Sequence, residues 1–196
     1  MGIFSRRQAP EAETIASVHL NARLQPVHRG SVYEDPLDEL LAKHAPGSEV
    51  VGGGTAFTPE TGPQSCDSEV KLVGEPEKTL ALVIDILEHL GAPVGSWASV
   101  GDGPQIPFGR THGFALTLDG TGLPDEVYEN NDINEVIGVL TSEIGEDAEL
   151  QSWWEGPENT ALYFYGEDAD ALRRVLESAA DRFALARNST VEAITD

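Results

Sequence analysis

One stretch of this chain occurs twice. Ser31-Val32-Tyr33-Glu34-Asp35-Pro36-Leu37-Asp38-Glu39-Leu40-Leu41 returns, with one inserted residue, as Glu126-Val127-Tyr128-Glu129-Asn130-Asn131-Asp132-Ile133-Asn134-Glu135-Val136-Ile137. Further along, Val70-Lys71-Leu72-Val73-Gly74-Glu75 is echoed by Leu162-Tyr163-Phe164-Tyr165-Gly166-Glu167, and an apolar-periodic helix follows each copy. Echoes in the same order at a nearly constant offset are the signature of one unit used twice. They require Tyr33 to match Tyr128, Leu72 to match Phe164 and Leu80 to match Leu172.

Apolar spacing gives each copy the same element order. Val18, Leu20, Ala22 and Leu24 alternate with polar residues, the period of a half-buried strand over Val18–Leu24. Asp35 is placed to cap a helix with Pro36 at its first position, and Leu37, Leu40, Leu41 and His44 share a face. Glu49–Phe57 and Ser68–Val73 read as strands joined by a long connection, Thr58–Ser65. Leu80, Val83, Ile84, Leu87 and Leu90 hold the helical period until Gly91 and Pro93 end it, and Val94–Val100 closes the set. The second copy runs Phe114–Leu118, a helix capped by Asn131, the hairpin Glu149–Trp154 and Thr160–Tyr165, a helix carrying Leu172, Val175 and Leu176, and Ser189–Ile194.

Strand, helix, strand, strand, helix, strand, stated twice, is the split βαβ order. The fold expected is α+β: two tandem ferredoxin-like (βαββαβ) repeats, each an antiparallel sheet with helices on one face. The divisions are a tail at 1–14, units at 15–100 and 113–196, and a Gly/Pro-rich linker at 101–112. The chain resembles uncharacterised bacterial proteins built from two such units. That resemblance implies a fold and no activity, because ferredoxin-like units serve many unrelated functions.

Charge narrows the partners. There are 34 acidic against 12 basic residues, a net charge of -22. Nucleic acid and anionic membrane are excluded by that surface, since phosphate neutralisation depends on Lys and Arg. A basic protein partner is instead drawn in by long-range attraction. Acidity of this kind also serves solubility in an acid-biased proteome. The single cysteine, Cys66, has no partner within the chain, and no signal-peptide stretch or membrane-spanning run is present, so a reducing cytoplasm is the expected compartment.

Few residues carry chemistry. Gly52-Gly53-Gly54-Thr55 lacks the lysine and the helix of a phosphate loop, and reads as a bulge or a place of close backbone approach. The five histidines show no metal-helix spacing, so neither metal nor cofactor is expected. Cys66 stands beside Asp67, whose charge opposes thiolate formation. The repeated acids, Glu34, Asp35, Asp38 and Glu39, then Asp125, Glu126, Glu129, Asp132 and Glu135, miss the calcium-loop pattern; they suit helix N-termini first, then a protein-binding patch, and a divalent-ion site less well.

The second hairpin is aromatic. Alternation puts Leu162 and Phe164 on one face and Tyr163 and Tyr165 on the other, which needs a cover of its own: the first unit, a second copy of the chain, or a partner. The same alternation places Trp154 in the helix-covered core and Trp153 opposite, unless a bulge intervenes.

Two functions follow as expectations, ranked ahead of an enzyme in which the clustered acids would support acid/base chemistry. The first is a noncatalytic acidic binding protein of the immunity or inhibitor type, using Glu34, Asp38, Asp125, Glu126, Glu129, Asp132, Trp153, Tyr163 and Tyr165 against a basic protein. The second is a small-molecule sensor with a cleft between the units, drawing on Gly52, Gly53, Gly54, Thr55 and Cys66.

Overall fold

The computed structural model describes residues 14–195, so the tail read over 1–14 lies outside the described residues except for Thr14. The first half runs β1 (Thr14–Leu20), α1 (Pro26–Arg29), a π-helical turn (Gly30–Glu34), α2 (Asp35–His44), β2 (Glu49–Thr58), β3 (Gly62–Leu72), α3 (Pro76–His89), β4 (Ser96–Val100) and β5 (Ile106–Phe108). The second runs β6 (His112–Asp119), α4 (Asp125–Asn130), α5 (Ile133–Ile144), β7 (Ala148–Glu155), β8 (Asn159–Gly166), α6 (Ala169–Glu177), α7 (Ala179–Arg182) and β9 (Thr190–Ile194).

The sheet orders are β2-β3-β1-β4-β5 and β7-β8-β6-β9, with antiparallel neighbours throughout. The first four strands of each sheet follow one scheme, so both halves are ferredoxin-like units. Matched residues sit on matched elements: Leu72 and Phe164 are buried on the third strands, and Leu80 and Leu172 are buried on the helices that follow. No helix among the described residues is long and apolar enough to cross a membrane.

Several local readings shift, each for a physical reason. The first strand is Thr14–Leu20, four residues earlier than its alternation suggested. Ala22 and Leu24 keep the apolar beat because they are buried outside the ladder, in the cluster that joins the halves. Asp35 is no cap, because the helical run is already continuous from Pro26. In the second unit the cap is Asp132, whose Oδ1 accepts from the Asn134 amide at 2.9 Å, and not Asn131. The long hairpin connection shrinks to three residues: β3 begins at Gly62, whose φ of +71° is open to glycine. The segment 101–112, read as irregular, carries β5, which pairs with β4 from Ile106 to Phe108.

The second sheet is buried on both faces. Phe114, Leu116, Leu162 and Phe164 face α5 and α6 together with Val136, Leu140, Leu172 and Leu176. Ala115, Ala161, Tyr163 and Tyr165 instead join the core of the first unit, with Ala22, Leu24, Tyr33 and Cys66. The cover demanded by alternation is therefore the first half of the same chain.

Candidate functional site

The seam between the units is built by the segment that leaves β1. The Arg23 amide donates to the Tyr165 hydroxyl oxygen at 2.7 Å, and the Gln25 amide to Ser152 Oγ at 3.2 Å. The Gln25 side-chain amide donates to the Trp153 carbonyl. His28 Nδ1 lies 2.8 Å from Ser152 Oγ, and the Tyr33 hydroxyl lies 3.1 Å from both the Gly91 carbonyl and Gln151 Oε1. Burial pushes the hydroxyls of Tyr33 and Tyr165 well above the ordinary phenol range. Burial also raises Tyr163, opposed by the nearby Arg23 guanidinium. Buried phenols held neutral are structural pins.

A register irregularity between Leu150 and Ser152 decides the two tryptophans. Gln151 and Ser152, though consecutive, are both buried, and the alternation beyond them is inverted. Trp154 therefore leaves the helix-covered core where alternation had placed it, and packs in the seam. A Cβ at Gly62 would stand 2.6 Å from its ring, so the hairpin tip of the first unit is bare to admit the indole. Trp153 stays 44% exposed, its ring 6.1 Å from His28. Val27, next to His28 in the chain, is 70% exposed, while Glu149 and Glu155 are exposed on the strand of Trp153.

The repeated acids do different work in the two copies. Glu34 Oε1 accepts from Arg29 Nε at 2.9 Å and Ser68 Oγ at 3.2 Å, and a Cβ at Gly53 would lie 2.9 Å from it. Asp38 Oδ1 accepts from the Val50 amide at 2.6 Å. Glu34 thus holds β3, and Asp38 holds β2, to the helical segment, and as a correction these two carboxylates leave the candidate contact surface. Tyr163 and Tyr165, each 1% exposed, leave it too. Asp125, Glu126, Glu129 and Asp132 are exposed around α4 and the start of α5. The tyrosines differ likewise: Tyr33 pins the seam, whereas the Tyr128 hydroxyl serves its own unit, donating to the Asp119 carbonyl and accepting from the Leu123 amide.

The residues expected to form a ligand cleft do not meet in one. Thr55 Oγ1 accepts from Arg29 Nη1 at 3.3 Å on the helix side of β2, Cys66 is fully buried behind it, and Gly52 and Gly54 lie on the edge strand. Burial raises the Cys66 thiol, which keeps it protonated and unreactive. A cleft of about 620 Å³ does open between the units elsewhere, lined by Glu88, His89, Arg110, Glu146, Asp147, Glu149, Gln151 and Glu167. No signal in the sequence brings Glu88, Glu146 and Glu167 together; the relative placement of the units does so. Among the described residues, no group of three or more His, Cys, Asp or Glu side chains is arranged to hold a metal ion.

No family model matches the chain, and no curated protein matches it. Several solved structures are similar in outline, three of them as follows. An unknown protein from Galdieria sulphuraria is 15% identical over 92% of this chain and 96% of its own, with a TM-score of 0.30. The ligand-free regulatory subunit of aspartate kinase from Thermus thermophilus is 17% identical over 85% and 93%, with a TM-score of 0.28. A complex of TiaS with an isoleucine tRNA, AMPCPP and agmatine contains a chain 10% identical over 85% and 56%, with a TM-score of 0.31. Likeness at this level carries no functional argument, and what the chain shows by its own strand order is a tandem pair of ferredoxin-like units.

Proposed function

We propose that this chain is a noncatalytic acidic binding protein, of the immunity or inhibitor type in a bacterial cytoplasm, that captures a basic protein through the surface around Trp153. The observation that carries the reading is Trp153 itself: a tryptophan 44% exposed, with its strand tied to Gln25 and His28, on a chain of net charge -22. Rigid aromatic anchors dominate binding energy in protein contacts, and surrounding charge sets the encounter rate. His28 supplies the neighbouring contact, and the exposed acids of α4 and α5 add to the field that draws a cation-rich surface in.

The test is capture from host extract at low and high salt, followed by reconstitution with the purified partner and with Trp153→Ala. A basic partner retained at low salt, released at high salt and lost with Trp153→Ala supports the reading. A partner indifferent to both counts against it.

A second reading, a small-molecule sensor, is favoured by the cleft of about 620 Å³ between the units. Its carboxylate-rich wall suits a cationic or zwitterionic molecule. Thermal shift against amino acids and polyamines tests it: a ligand at 100 times its dissociation constant adds about 2.7 kcal/mol, and no shift across the panel removes the reading.

A further inference from the structure

The glycine run is absorbed by neither of those readings. Gly52 and Gly54 lie on β2, the edge of the first sheet, which among the described residues pairs with β3 and no other strand. At Val50 the edge is closed by Asp38, which takes its amide. From Val51 to Thr58 no hydrogen bond other than those to β3 reaches the main chain among the described residues. An open edge of this length is a template for another strand, and natural proteins normally blunt such edges.

Three features say what this edge accepts. Gly52 is opposite Glu69, and Gly54 is opposite Asp67. A Cβ at Gly54 would meet nothing within 4 Å, so a lane without side chains runs across the strand at that point. A Cβ at Gly52 would lie 3.0 Å from Glu69 Oε2, so that carboxylate already reaches from β3 over β2 toward the edge. Glu69 has no ion-pair partner among the described residues, and the Asp67 side chain is 61% exposed while binding His19. Valines at 52 and 54 would wall these carboxylates off from anything docked at the edge; glycines leave them in reach.

We propose that the free edge of β2 takes an extended segment of a basic protein as an added strand, with lysine or arginine at alternate positions lying across Gly52 and Gly54 to reach Glu69 and Asp67. Main-chain pairing supplies the affinity, and the alternate cationic side chains supply the choice of segment. Val51 and Phe57, both exposed, lie on β2 on either side of the glycine run along the chain. This surface is distinct from Trp153, and it shares with the proposed function only the sign of the partner's charge.

The test uses blocked octapeptides and the full chain. A lysine-valine repeat should bind and slow amide hydrogen exchange over residues 51–58. A glutamate-valine repeat should not bind, and a lysine-proline repeat, which lacks half its amide donors, should bind at least about tenfold more weakly. Gly54→Val should keep or raise the melting temperature, since its backbone is outside the left-handed region and its side chain enters open space. The same variant should bind the lysine-valine repeat about tenfold more weakly, and Glu69→Gln several-fold more weakly. Trp153→Ala should bind it as wild type does, which separates this inference from the proposed function. Equal binding of the lysine-proline peptide, unchanged binding by Gly54→Val, or protection mapped away from β2 would each overturn it.

Discussion

The main-chain amide of Arg23 donates to the phenol oxygen of Tyr165 at 2.7 Å, so a residue just after the first strand of one unit is bound by the third strand of the other. Tyr165 is fully buried, and the amide has no second acceptor among the described residues. Tyr165→Phe keeps the ring and strands that amide. A buried donor left unpaired costs about 1 to 3 kcal/mol, so denaturant unfolding should show a loss in that range. A change within the error of the melt would show that water replaces the phenol.

The two adjacent tryptophans should part company in the same assay. Trp154 fills the seam over Gly62, and truncating a buried tryptophan to alanine costs about 3 to 5 kcal/mol. Trp153 is half in solvent, and its truncation should stay within about 0.5 kcal/mol of wild type. Equal losses from Trp154→Ala and Trp153→Ala would contradict the separation of a structural from a contact tryptophan.

Alkaline pH should open the seam. Tyr33, Tyr163 and Tyr165 have folded-state values raised by burial, while in the unfolded chain each ionises near 10. A raised acid group contributes stability in full below its unfolded value, and that contribution falls as pH rises above it. Stability should therefore be level approaching pH 10 and drop beyond it. Ultraviolet titration should show these three phenols ionising together with unfolding; smooth ionisation near 10 with the fold intact would contradict their burial.

Acid should act on the second unit through other groups. Asp119 is held below the usual carboxylate range by the amides of Gly122 and Thr121 and by Asn188, and Glu143 by its hydrogen bonds from Arg182. Depressed values mean stability that is present above the ordinary carboxylate range and lost as pH falls through the folded values. Asp119→Asn and Glu143→Gln should each flatten the acid limb of a pH-stability profile. Both carboxylates are exposed, so the change should be small.

What could be read from the sequence was whatever depends on local period. The duplicated strand and helix order, the opposed faces of Phe164 and Tyr165, and the helix ended at Gly91 follow from spacing alone. Long-range placement was not legible. Ala22 and Leu24 continue the beat of β1 only because the second unit buries them, and the irregularity after Leu150 inverts the tryptophans without any glycine to announce it. The equal appearance of the two acidic clusters hid unlike roles, because only the fold brings Glu34 to Arg29 and Asp38 to Val50. The contact residues left standing are therefore Trp153 and the exposed acids of the second unit.

The most direct test of the account is the dissociation constant of the captured basic protein for wild type and Trp153→Ala, each measured at low and high salt. Binding through an aromatic anchor in an acidic field predicts a loss of about tenfold or more from the substitution. It also predicts weaker, slower association for both proteins as salt rises. Unchanged affinity on removing the indole, together with indifference to salt, would contradict it.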